Sequence, residues 1–63
     1  MKATVTYKTG NSIMTKTMED VTKIEKVYSK YGDKLVEETR VYNSDYHWAT
    51  WLSDGIINIF IEA

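Results

Sequence analysis

The residues able to do chemistry are few and scattered. The chain has one histidine, His47, and no cysteine. Without cysteine there is no thiolate nucleophile, no thiolate-held metal cluster and no disulfide. A serine nucleophile needs an oriented base beside it. Ser44 precedes His47 by three positions, but Ser44 and Ser53 both fall in predicted turns. His47 set opposite Glu62, with Tyr42 nearby, would give an oriented imidazole, although a His–carboxylate contact at a sheet rim is the commoner meaning of such a pair. One histidine with scattered carboxylates falls short of the three or four ligands zinc requires. Asn43, Asp45 and Asp54 lack the spacing of a calcium loop, and Gly10, Gly32 and Gly55 stand too far apart to cradle a phosphate. The expectation is therefore a protein that is not an enzyme, holds no metal or cofactor, and acts by binding.

What it would bind with is concentrated between Tyr42 and Phe60. That stretch holds five of the eight aromatic residues and the histidine. The 63 residues make a single domain, 1–63. A chain of this size buries only about 60% of its unfolded surface, and lacking covalent staples it leans on regular structure or on a partner subunit. Composition is ordinary for a globular protein, at 43% hydrophobic and 27% charged. The first residues have no apolar core of a signal peptide. No apolar run reaches the ~20 residues that span a bilayer, so a cytoplasmic, non-membrane protein is expected. Net charge is −1, yet residues 1–34 carry seven lysines against four carboxylates, and residues 35–63 carry Arg40 against five carboxylates.

Five strands and a helix are predicted to position these groups. Ala3–Lys8 alternates as a half-buried strand, Gly10-Asn11 marks a turn, and Ser12–Met18 returns. That places Ala3, Val5 and Tyr7 on one face with Met14, Lys16 and Met18. Thr17 as N-cap, Asp20 three positions on, an apolar stripe of Val21, Ile24, Tyr28 and Tyr31, and Gly32 as terminator predict a helix over 18–31. Lys23, Lys26, Lys30 and Lys34 form a ridge on its far side, most simply a solvated face. Val36–Tyr42 is expected as an edge strand, then a strand from Tyr46 to Leu52, a two-residue turn at Asp54-Gly55, and a central last strand, Ile56–Glu62.

The fold class expected is α+β, a β-β-α-β-β-β order with a mixed or antiparallel sheet and one helix packed on one face. The segment Glu25-Lys26-Val27-Tyr28-Ser29-Lys30-Tyr31 and the last hairpin resemble the β-grasp arrangement of the immunoglobulin-binding domains of proteins G and L. That resemblance implies parallel first and last strands at the sheet centre and a helix crossing one face. The segment Asp33–Asn43 is additional to that pattern. No binding residues are carried over, because a shared fold does not carry function.

Register then divides the aromatic stretch. A two-residue turn at Asp54-Gly55 sets Trp48, Thr50 and Leu52 on one face with Ile57, Ile59 and Ile61, turned to the helix. Trp48→Ala is then the destabilising change and Trp51→Ala the silent one. The opposite face has no cover. It presents Trp51, Phe60, Tyr42, His47 and Arg40, the candidate binding residues of a small protein-binding module of inhibitor or adaptor type. The acidic second half suits a partner with a basic surface, and the open face would also serve a homodimer. The alternative is a single-stranded nucleic-acid-binding protein using exposed aromatics and the helix lysines. It ranks second because the two sets are expected on opposite sides of the domain.

Overall fold

The computed structural model describes residues 1–45 and 47–63, and in it the chain forms six strands and a single 3-10 turn. β1 (Lys2–Thr9) pairs with β2 (Ser12–Met18) across a turn in which Gly10 has φ +61°. Glycine at the first central position relieves the steric cost of positive φ that the hairpin turn demands. The register, Ala3 opposite Met18 and Tyr7 opposite Met14, is the one the alternation predicts. β3 (Val21–Tyr31) and β4 (Lys34–Asn43) form a second, longer hairpin around Gly32-Asp33, with Gly32 at φ +62°. β5 (Trp48–Leu52) pairs with β4, and β6 (Ile56–Glu62) returns to pair with β1.

Two antiparallel three-stranded sheets result, in the orders β2-β1-β6 and β3-β4-β5. A corner at Glu19-Asp20 joins them. Asp20 takes φ 55°, a conformation aspartate tolerates better than most residues. Val21 N–H donates to the Met1 carbonyl (2.6 Å) and Ser44 N–H to that of Asp20 (3.0 Å), tying the corner to both neighbouring segments. The core between the sheets is small. Ala3, Val5, Val21 and Val41 are buried, with Tyr7, Met18, Ile24, Trp51, Ile56 and Ile59 packed around them. Among the described residues Thr39 is the buried polar one, and its hydroxyl is satisfied by Ser53 Oγ at 2.8 Å.

This overturns the α+β, β-grasp-like expectation: among the described residues no helix packs on a sheet, and the segment expected to be helical is β3. Between Glu19 and Tyr31 there is no alanine or leucine, while Val21, Thr22, Ile24, Val27, Tyr28 and Tyr31 favour an extended chain. The lysine ridge disperses accordingly. Lys23 lies in the row of Tyr42, Lys26 and Lys30 fall in the rows of the opposite face, and Lys34 begins β4. Strand positions are also exchanged. β4, expected at an edge, is the centre of its sheet, and β6, expected at the centre, is an edge. The first and last strands are antiparallel, not parallel. Ser53–Gly55 is a 3-10 turn carrying the chain from one sheet to the other, so β5 and β6 are not partners. The strand expected from Tyr46 runs from Trp48; Tyr46 itself lies outside the described residues.

Candidate functional site

The face of the β3-β4-β5 sheet turned away from the core carries the densest group of aromatic and charged side chains. Its geometry comes from the register. Lys23 stands beside Tyr42 and Tyr42 beside Trp48; one row on are Glu25, Arg40 and Thr50; the next holds Val27, Glu38 and Leu52. A shift in register at the start of β3, between Val21 and Lys23, sets Lys23 beside Tyr42.

Side chains couple across these rows. The Lys23 ammonium lies 5.3 Å from the centre of the Tyr42 ring, and the Arg40 guanidinium 4.3 Å from the Trp48 ring, both within cation–π range. The Tyr42 and Trp48 rings are 6.2 Å apart at 43°. Lys23 forms an ion pair with Glu25, whose carboxylate also accepts from the Tyr42 hydroxyl at 3.4 Å. The hydrogen bond from Lys23 holds Glu25 below the usual carboxylate range, and Lys23 is raised by the same bond. Glu38 accepts from Ser29 (2.7 Å) and from the Tyr31 hydroxyl (3.3 Å). Arg40 Nε is buried with no hydrogen-bond partner among the described residues. An open groove lined by Tyr31, Val36, Glu38, Thr50, Trp51 and Leu52 continues the face along the hairpin.

The five residues expected to act together are distributed over four surroundings. Arg40 and Tyr42 belong to this face. His47 is exposed at the β4–β5 connection, where its N–H donates to Asn43 Oδ1 at 3.0 Å. Trp51 points between the sheets, its ring 5.6 Å from that of Tyr7. Phe60 is 58% exposed on the other sheet, in β6, beside Thr4. Glu62, the expected partner of His47, pairs with Lys2 at 3.7 Å.

Trp48 is the residue that sequence reasoning missed. It is 47% exposed and completes the face that Trp51 was expected to complete. A two-residue turn at Ser44-Asp45 would have set Tyr42 opposite His47. The rung instead closes between Asn43 and His47, whose carbonyl accepts from Asn43 N–H at 2.9 Å. Asn43 Oδ1 accepts from the N–H groups of both Asp45 and His47. The turn-forming tendency of Asn43 was the available signal.

Among the described residues, no group of three or more His, Cys, Asp or Glu side chains is placed to hold a metal ion. No helix there is long and apolar enough to cross a membrane. Comparison with protein-family models gives no match, and comparisons with curated proteins and with solved structures give none either.

Proposed function

We propose that the chain is a small non-enzymatic protein-binding module, of inhibitor or adaptor type, and that the outer face of β3-β4-β5 is its contact surface. The observation that carries this reading is the adjacency of Trp48, Tyr42 and Arg40 on three neighbouring positions of two paired strands. Tryptophan, tyrosine and arginine are the residue types that dominate binding energy at protein interfaces. A half-exposed indole backed by a guanidinium is already ordered before a partner arrives, which reduces the entropy lost on contact. Glu25 and Glu38 alternate with Lys23 and Arg40, so the face would select by matched polar contacts around an aromatic centre, not by net charge.

The test is affinity capture from the protein's native cell lysate with wild type, Trp48→Ala and Arg40→Ala. A partner retained by wild type should be lost by about tenfold or more with either variant, the usual effect of removing one interface anchor. Thermal melts of both variants should stay near wild type. Equal retention by Trp48→Ala would remove the face from consideration.

Single-stranded nucleic acid is the second reading, and one observation improves its standing: Lys23 and Arg40 stand beside Tyr42 and Trp48, not across the domain. It stays second because Lys23 is neutralised by Glu25, and Glu38 lies next to Arg40 in β4's outward row. A labelled oligonucleotide titrated at low and high salt separates the two, since nucleic-acid binding would weaken steeply with added salt.

A further inference from the structure

The two long sides of the sandwich are guarded unequally. Where β2 and β3 form the sheet edges, Lys16 on one strand and Lys23, Lys26 and Lys30 on the other supply four ammonium groups. Where β5 and β6 form the edges, the sequences are WATWL and IINIFIE, with no lysine or arginine and with Glu62 as the one charge. Lysine on an edge strand is the usual means of blocking edge-to-edge pairing. β6 lacks it. β1 pairs along one side of β6, and among the described residues no strand pairs along the other. Ile57 is 53% exposed and Ile61 47%.

We propose that β6 pairs edge to edge with β6 of a second copy of this chain, antiparallel, about a twofold axis near Ile59. Two three-stranded sheets would then become one six-stranded sheet in the order β2-β1-β6-β6-β1-β2. Self-complementarity favours a second copy over another strand. With the axis at Ile59, Asn58 faces the partner's Phe60. The register against β1 skips Ile57, so Ile56 and Ile57 together meet the partner's Ile61 and Glu62, and no like charges oppose. One strand supplies both halves of an isologous interface.

The size of the exposed surface points the same way. Accessible area is 4673 Å², against roughly 4,200 Å² expected for a folded monomer of this mass. The radius of gyration is 12.2 Å, against about 10.6 Å for a compact domain of this length. The excess of roughly 500 Å² is shared between the β6 edge, with Ile57 and Ile61, and the overhanging β3–β4 hairpin, with Tyr28, Tyr31 and Leu35. The outer face of β3-β4-β5 takes no part, so each copy would keep its Trp48 face open.

Sedimentation equilibrium across micromolar to millimolar protein tests the pairing. Wild type should approach twice the single-chain mass of 7.3 kDa. Ile57→Lys should weaken self-association by about tenfold or more, and Ile13→Lys, at an exposed position on the lysine-guarded side, should leave it unchanged. Isotope-filtered NOEs between labelled and unlabelled wild-type chains should connect the two β6 backbones, a readout independent of how any variant folds. A single-chain mass at every concentration, open-ended assembly, or a dimer without β6–β6 NOEs would each overturn the proposal.

Discussion

Trp48 and Trp51 lie three positions apart in sequence and have opposite duties. Trp51 packs against the buried valines and the Tyr7 ring, whereas Trp48 is spread over the outer face above Arg40. Thermal or urea melts should therefore show Trp51→Ala losing roughly 2–4 kcal/mol, somewhat less than a fully buried aromatic. Trp48→Ala should stay within about 0.5 kcal/mol, as surface changes usually do. The sequence reading assigns the reverse order. It identifies Tyr42 and Arg40 on a common face, because residues two apart on a strand must share one. It misassigns which tryptophan joins them, because one extra residue in the β4–β5 connection reverses every side chain beyond it.

At the scale of elements, the β1–β2 hairpin is readable from alternation and a glycine-containing turn, and β3 is not. Val21, Ile24, Tyr28 and Tyr31 satisfy a helical wheel. The extended chain puts Lys23, Glu25, Val27, Ser29 and Tyr31 on one face and Ile24, Lys26, Tyr28 and Lys30 on the other, so neither period is clean. Pairing with β4 along ten registered positions settles the conflict, since tertiary context overrides a weak propensity. Gly32 suits a helix terminus and a hairpin turn equally, because both require positive φ. Its role predicts a difference among the glycines. Gly32→Ala has open space around the added methyl but sits at φ +62°, and should cost about 1 kcal/mol from backbone strain alone. Gly55→Ala, without positive φ and with its methyl 3.6 Å from the Lys8 carbonyl, should be close to neutral in the same denaturation assay.

Across the whole molecule, stability is uneven. The core is made of side chains no larger than valine, and it lies where β1, β3 and β4 cross near Val5, Val21 and Val41. The far end of the β3–β4 hairpin extends past it, leaving Tyr28, Tyr31 and Leu35 exposed. Principal extents of 38 × 27 × 14 Å describe a flat, elongated shape. Native-state hydrogen exchange should follow this division. Amides of Ser29–Val36 should exchange at least about tenfold faster than those of Val5 and Val41, because an overhanging hairpin opens without disturbing the core. Equal protection along β3 would mean that the overhang is covered in solution.

By itself the sequence determined what the chain lacks and where it bends. The absence of cysteine and the lone histidine excluded thiolate chemistry and a histidine-based metal cluster. Gly10-Asn11 and Asp54-Gly55 marked reversals, and alternation placed Ala3, Val5 and Tyr7 on the core side. These are local properties of composition and spacing. Tertiary structure decided which strands pair. Asp54-Gly55 records that the chain turns, not that β5 and β6 meet, and β6 finds β1 at the far end of the chain because that pairing closes the core. It also decided whether residues 21–31 are helix or strand, and hence which tryptophan faces solvent. Pairing and register depend on contacts between segments distant in sequence, and no window of residues contains them.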